Sequence, residues 1–403
     1  MGRILLTWEL GSGLGHLLPL RVVGEHLERR GHVVAIAVRQ PGLALGVFGK
    51  TGISVVPAPV VPKAKLPPTG QIFGFAHMLA GAGFGEEGCL EAFYLGWNAL
   101  FDEVKPDLVV ADHSPFALLA LRGRGTRAVT LGLPFYCPPD LFPLPHWTPA
   151  GQPPRQDAVV PVERQSLKNA NRVLQSHRRP EFKQLSQIFN DVDEVMLASY
   201  VEFDHFGPRP DKRYWGHWHA TGGTVPSWPD VPGPKVFVYV KPFPAIEFLL
   251  NNLRLAGLPS VVFAGGLPDA LVARFACATL RFETTPLDLY SAGKQCDLAI
   301  LTGGHGTTAS ILLAGKPCLL IPLYVEQLLN SQTAVRFGAG RCASADSAAA
   351  MDVHLHAMLS EAKYRQAAQS FAARYAGFVP GQQIPQLVDR LETILQGPPI
   401  DFS

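Results

Sequence analysis

Three groups of residues in this chain have the types and spacing to do chemistry. The first is His16, which ends the run Gly11-Ser12-Gly13-Leu14-Gly15-His16 where a helical pattern begins. An imidazole titrates near neutrality, so it is suited to take a proton from an attacking hydroxyl. Asp112, at the end of the apolar run Leu108-Val109-Val110-Ala111, offers a carboxylate that could orient such an imidazole, with His113 beside it as the runner-up base. The plainer alternatives are a helix-capping His16 and an Asp112 that serves a turn or an N-cap. The second group, Thr302-Gly303-Gly304-His305-Gly306-Thr307-Thr308, comes after a strand-like run and opens a helical one. Glycines let the backbone approach a ligand closely, and the free N–H groups of a helix start attract phosphate. A structural strand-to-helix turn would look the same. The third group is Glu326-Gln327, just past another strand end, where a carboxylate and an amide stand together. Both could equally be solvated residues that open a helix.

The residues after the glycine loop narrow the choice. Ala314-Gly315-Lys316-Pro317, then Ile321-Pro322-Leu323-Tyr324-Val325-Glu326-Gln327, Asn330 and Gly338-Ala339-Gly340 complete a stretch from Cys296 to Gly340. This stretch resembles the donor-binding signature of GT-B nucleotide-sugar glycosyltransferases of the UDP-glucosyl/UDP-glucuronosyltransferase type (family 1), which include bacterial macrolide and glycopeptide enzymes. Gly15-His16-x-x-Pro19, Arg30-Gly31-His32-Val33 and Pro106 to Asp112 fit the first lobe of that family more loosely. The resemblance implies an inverting hexosyltransferase in which residues 302–308 hold the pyrophosphate of a UDP- or TDP-linked sugar. It further implies that Glu326 and Gln327 grip the hexose, that Thr285-Pro286-Leu287 lies at the base, and that His16 is the catalytic base with Asp112 behind it. It calls for no metal and no cofactor beyond the nucleotide sugar as co-substrate. A hydroxyl on a small apolar molecule would be the acceptor.

Two departures stand out. Thr302 occupies the place of the family's phosphate-binding histidine, and His305 stands where a small residue is usual. Val240-Lys241-Pro242-Phe243-Pro244 replaces a Gly-Ser turn that donates to phosphate; proline has no N–H to donate, so Lys241 would supply charge instead. These changes leave open an unusual donor or a non-catalytic nucleotide-sugar-binding or partner protein on the same scaffold. A dinucleotide-dependent oxidoreductase fits poorly, since Gly11-x-Gly13-x-Gly15 misses the G-x-G-x-x-G spacing and the second strand ends at Arg39 rather than an acid.

Such groups need a rigid scaffold. Arg3 to Thr7, Val33 to Val38, Pro106 to Asp112 and Ala128 to Gly132 read as strands, alternating with helical patterns; Lys235 to Val240, Ser260 to Ala264, Asp297 to Leu301 and Cys318 to Pro322 repeat the rhythm. Strands alternating with helices imply α/β architecture with parallel doubly wound sheets. The reading is two Rossmann-like domains facing across a cleft: an acceptor-binding domain over 1–215, a Pro-rich linker over 216–234, a nucleotide-sugar domain over 235–375, and a closing segment over 376–403 whose helix returns to the first domain. The irregular, aromatic stretches 57–97 and 135–147, with Phe73, Phe75, Trp97, Phe135 and Trp147, are expected to line the apolar acceptor pocket.

Composition closes off other classes. The chain has 403 residues, 47 % of them hydrophobic and 17 % charged, enough for two ordinary cores and unlike a disordered chain. Thirty-five Lys and Arg against 33 Asp and Glu leave a net charge of +2, too little for a broad nucleic-acid footprint. The apolar runs are strand-sized, well short of the ~20 residues a membrane span needs. Glu9 interrupts the N-terminal apolar run too early for a signal peptide, and position 6 is Leu where a myristoylation motif needs Ser or Thr. The cysteines are six, with no C-x-x-C pair, and no D-x-D stands at a strand end. The expectation is a cytoplasmic, metal-independent enzyme with reduced thiols, for which a homodimer is compatible.

Overall fold

A computed structural model describes residues 1–11, 13–61, 72–147, 155–218 and 223–398. Ser12 of the first glycine loop, residues 62–71 of the expected acceptor insertion and residues 219–222 of the expected linker therefore lie outside the described residues.

The chain divides into two compact units: Met1–Ser199 with Arg209–Gly216 and Pro380–Ser403, and Tyr200–Pro208 with His217–Val379. The first carries β1 (Arg3–Trp8), β2 (Val33–Val38), β3 (Ser54–Pro57), β4 (Leu108–Asp112), β5 (Arg127–Gly132) and β6 (Glu194–Leu197); the second carries β7 (Val236–Val240), β8 (Ser260–Ala264), β9 (Leu280–Phe282), β10 (Leu298–Leu301), β11 (Cys318–Leu320) and β12 (Gly340–Cys342). Their sheets are ordered β3-β2-β1-β4-β5-β6 and β12-β11-β10-β7-β8-β9, and all pairings within them are parallel. Parallel strands covered by helices on both faces must be apolar throughout. Val109, Val110, Leu5 and Leu6 in one sheet, and Val236, Phe237, Val238 and Ile300 in the other, are accordingly buried.

This topology fixes where ligands belong. In a doubly wound sheet the strand order reverses at one point, and the crevice beyond the strand carboxyl ends there is open for binding. In the first unit that point lies between β1 and β4, where Trp8 pairs with Asp112. In the second it lies between β7 and β10, where Tyr239 pairs with Leu301.

The segment read as a linker belongs, from His217 onward, to the second unit. There Thr224 pairs with Leu287, and its N–H donates to the Pro286 carbonyl at 3.0 Å. The last helix, Pro380–Gln396, belongs to the first unit. Arg30 meets Asp389 and Glu392 of that helix at 2.5 and 2.7 Å, and His32 Nε2 meets Glu392 at 2.9 Å.

Candidate active site and donor loop

In the first unit, β1 ends at Trp8 and the chain turns through Gly11 (φ 90°) and Gly13 (φ 89°) into the helix Leu14–Arg29. Positive φ at both positions costs glycine little and any other residue more. The turn is held from two sides: Trp8 Nε1 donates to the Leu10 carbonyl at 2.6 Å, and the Leu10 N–H donates to the His113 carbonyl at 3.1 Å. This delivers His16 to the end of β4, where its Nδ1 lies 2.9 Å from Asp112 Oδ2 with both side chains buried. A carboxylate oxygen only accepts, so Nδ1 carries a hydrogen, which in the neutral tautomer leaves the lone pair on Nε2. The other Asp112 oxygen sits against Gly132, where a Cβ would come within 2.9 Å of it.

Aromatic rings surround the pair. Trp8 stacks on His16 at 5.3 Å, and Tyr136 lies 4.6 Å from His16 and 4.4 Å from His113. His113 is buried with a left-handed φ of 46°. Burial holds its pKa well below the ordinary value, and the nearby His16 adds to the effect. Phe75 lies 6.4 Å from His113 and 5.9 Å from Phe135, and Phe135 lies 6.1 Å from Trp147. Phe73, Phe75 and Trp147 are tied together by backbone bonds: the Phe75 N–H donates to the Pro145 carbonyl and the Trp147 N–H to the Phe73 carbonyl, both at 2.9 Å. Four of the five expected aromatic residues are thus connected to one another and to the imidazoles, with Phe73, Phe75 and Phe135 themselves buried.

Trp97 is the exception. It is fully buried, like Phe75, but packs against Phe101 with its indole N–H donated to Glu9. Glu9 carries more of the structure than its position in the sequence suggests. Its carboxylate accepts from Trp97 and from the N–H groups of Phe116 (2.9 Å) and Ala117 (3.3 Å), yet burial raises its pKa to about 8. Nothing in the sequence marks this role, because the donors stand 88, 107 and 108 positions away.

In the second unit, β10 ends at Leu301, and residues 302–304 lead into the helix His305–Leu313. Gly303 (φ 81°) is pressed onto the helix Val325–Arg336: Asn330 Nδ2 donates to its carbonyl at 2.7 Å, and a Cβ there would run into Ser331 Oγ. Thr302, Gly304, Gly306 and Thr307 are partly exposed around the helix start. Thr308 is buried and its hydroxyl donates to the Gly304 carbonyl at 2.9 Å, so its hydrogen is committed to the backbone. His305 is also buried, edge-on to Phe203 (5.2 Å) and His217 (5.3 Å), and burial lowers its pKa to about 3. It is therefore neutral at pH 7. The ring of His217 lies over Gly306, where a Cβ would meet its Nε2 at 2.7 Å.

Gln327 Oε1 accepts from the Leu323 N–H at 2.9 Å, which fixes the amide and leaves its NH2 as the donor end. Glu326, beside it, is half-buried in the first helical turn. Lys241 is exposed just past β7, with Nζ 5.7 Å from the Tyr324 ring centre, so it stands by the same turn. The fold gathers residues 302–308, Gln327 and Lys241 at the ends of neighbouring strands. Thr285 is exposed, and its hydroxyl meets that of Thr224 at 3.0 Å.

No protein-family model matches the chain. A curated relative, the "PGL/p-HBAD biosynthesis rhamnosyltransferase" of Mycobacterium bovis (strain BCG / Pasteur 1173P2), is 26 % identical over 296 residues, covering 68 % of this chain and 64 % of the relative. Relatives of the same description from Mycobacterium tuberculosis match equally. The chain thus spans about two thirds of the length of the curated relatives it matches, at 64 %. Among solved structures, the glycosyltransferase of kitacinnamycin superposes with a TM-score of 0.66 at 15 % identity, covering 98 % of this chain and 99 % of that one. Glycosyltransferase VinC in complex with DTDP gives 0.64 at 14 %, over 96 % and 100 %. SnogD from Streptomyces nogalater gives 0.61 at 20 %, over 96 % and 99 %. With two parallel six-stranded sheets in series and these neighbours, the chain has the GT-B fold of nucleotide-sugar glycosyltransferases.

Proposed function

We propose that this chain is an inverting glycosyltransferase that moves a hexose from a UDP- or TDP-linked donor to a hydroxyl of an apolar small molecule. The observation that carries the proposal is the His16–Asp112 pair at the β1/β4 switch point. The acceptor hydroxyl gives its proton to His16 Nε2 as its oxygen attacks the anomeric carbon. The bond from that carbon to the diphosphate breaks with inversion, and the nucleoside diphosphate leaves with the electron pair. Asp112 holds the imidazole by Nδ1 and compensates the positive charge it acquires. In the second unit the loop 302–308 receives the diphosphate with backbone N–H groups and Thr307, Lys241 adds charge, and Glu326 and Gln327 hold the sugar. Thr285 would lie by the base. A rhamnosyltransferase among the relatives and a neighbour solved with thymidine diphosphate fit a TDP-linked hexose.

The reading requires neither metal nor cofactor, since a helix start and a lysine can meet the charge of the leaving group. Among the described residues no helix is long and apolar enough to cross a membrane. A cytoplasmic location and a homodimer are further parts of the proposal, which fractionation and sedimentation would check.

The test is transfer from UDP- and TDP-hexoses to flat apolar alcohols in the presence of a chelator, with wild type and His16→Ala. General-base assistance is worth about 10²–10⁴-fold, so the variant should lose that much turnover while its affinity for UDP or TDP stays unchanged. Nucleotide-sugar binding with neither transfer nor donor hydrolysis in wild type would favour the non-catalytic alternative. Near-native turnover in the variant would move the base elsewhere.

A further inference from the structure

Glu9 takes no part in the proton transfer above, yet it joins the two turns that deliver His16 and Asp112. The helix Pro115–Leu121 follows Asp112 after only His113 and Ser114, and the first N–H groups of a helix have no partner within it. Pro115 has no N–H to satisfy. Ser114, the residue placed to cap the others, gives its hydroxyl hydrogen to the Asp112 carbonyl at 3.0 Å and makes no side-chain cap. The Phe116 and Ala117 N–H groups donate instead to Glu9 Oε2, at 2.9 and 3.3 Å, across 107 and 108 positions of chain. A second tie runs beside this one, from the Leu10 N–H to the His113 carbonyl at 3.1 Å. The turn leaving β1 and the turn leaving β4 are thus cross-linked at the consecutive residues Glu9 and Leu10. Glu9 is buried, where a hydrogen bond is stronger than in water and an unpaired N–H is costly. On the other side of Glu9, Trp8 stacks on His16 at 5.3 Å and pairs in register with Asp112.

We propose that Glu9 is a positioning residue: by capping the helix Pro115–Leu121 from the end of β1, its carboxyl holds the two turns in the register at which Asp112 Oδ2 meets His16 Nδ1. This rests on the function proposed above. The partner of Nδ1 sets the His16 tautomer. A β4 turn that slips away from β1 takes Asp112 with it and lets the hydrogen move to Nε2, which then cannot accept a proton. The cap needs one accepting oxygen, which a carboxylate, a carboxylic acid and an amide all possess. Trp97 donates to the other oxygen, Oε1, but lies on the helix Glu87–Val104 and so ties neither turn to the other.

The experiment compares wild type with Glu9→Leu, which is close in size but accepts nothing, Glu9→Gln and Trp97→Phe. Two quantities are read at one pH at which the His16 ring is neutral: kcat and donor KM for sugar transfer, and the side-chain nitrogen NMR shifts of His16, assigned with His16→Asn, which report the tautomer. Misplacing a catalytic group by about 1 Å can cost about 10²-fold, so Glu9→Leu should lower kcat by about 10–10²-fold, change donor KM less than about twofold, and move the hydrogen from Nδ1 to Nε2 in part of the molecules. Glu9→Gln should keep kcat and tautomer near those of wild type. Trp97→Phe removes a hydrogen bond to the same carboxyl; it should lower the unfolding midpoint yet leave kcat within about twofold, whereas a merely structural Glu9 would make rate follow stability in every variant. Glu9→Asp, which withdraws the carboxyl by one methylene, serves the same purpose if the leucine variant does not fold. An unchanged tautomer or near-native kcat in the Leu or Asp variant, a Gln variant that behaves like the Leu variant, or a kcat loss of equal size in Trp97→Phe overturns the inference. Transfer that Glu9→Leu leaves intact defeats this inference alone. A tautomer shift that depends on Glu9, in a protein that transfers no sugar, supports the positioning role while defeating the glycosyltransferase reading.

Discussion

Gly11→Ala probes the proposed chemistry without replacing either proposed catalytic side chain. Gly11 stands at φ 90°, and a Cβ built there would lie 2.6 Å from His16 Nε2, 3.4 Å from Cδ2 and 3.5 Å from Cε1. That is about 0.8 Å inside ordinary contact with the one ring nitrogen that must receive the acceptor's proton. The ring has little room to retreat: Asp112 holds Nδ1 at 2.9 Å, Trp8 stacks at 5.3 Å and Tyr136 lies at 4.6 Å. The methyl group therefore occupies the approach to Nε2 or drives the ring off Asp112, and either outcome removes general-base assistance worth about 10²–10⁴-fold in turnover. Backbone strain adds a separate loss of roughly 1–3 kcal/mol of stability, read from denaturant unfolding. The assay is initial rate at saturating donor for wild type, Gly11→Ala, His16→Ala and the double variant. If the methyl acts through the base, the double variant is no slower than His16→Ala, because one function cannot be removed twice. Near-native turnover in Gly11→Ala, or losses that multiply in the double variant, would refute the reasoning.

Glu9 gives the first unit a pH-dependent stability. Its folded pKa of about 8 stands above the ordinary 4.5, so the folded state binds the proton more tightly and stability falls as pH rises from about 5 through 8. At about 1.36 kcal/mol per unit the fall amounts to a few kcal/mol; unfolding midpoints across that range should show it, and Glu9→Gln should flatten the slope. Gly303→Ala should weaken UDP or TDP binding by at least about tenfold in calorimetry, because φ 81° strains an alanine and its Cβ meets Ser331 Oγ, displacing the loop; unchanged affinity would separate this loop from the nucleotide. Glu326→Ala and Gln327→Ala should weaken the intact nucleotide sugar by about 1.5–3 kcal/mol and the bare nucleotide far less; equal losses would place the pair away from the sugar.

The sequence by itself determined the class of fold and the type of chemistry. Apolar runs of strand length alternating with helical patterns leave a parallel doubly wound sheet as the way to bury them, and Val33–Val38, Leu108–Asp112 and Ser260–Ala264 are strands as their composition requires. Glycine-rich turns before helix starts are equally local, since the positive φ at Gly11, Gly13 and Gly303 is a property of the residue as much as of the fold. Short or isolated segments were less legible. β9 and β12 have three residues each, too few to show a period. The helix Gln156–Ser176 stands in a region read only as part of the first domain. Tertiary structure alone decided which polar groups meet. Asp112 reaches His16 because β1 and β4 are neighbours in the sheet, a pairing across 96 positions that no local pattern encodes. The same long-range packing committed Trp97 to Glu9 and left His113 between two aromatic rings. The Thr308 hydroxyl, by contrast, meets the Gly304 carbonyl locally, within the first turn of its own helix. Residue type limits what a side chain can do, but burial and the partners that the fold brings within hydrogen-bond reach decide what it does, and both are set by contacts between segments far apart in the chain.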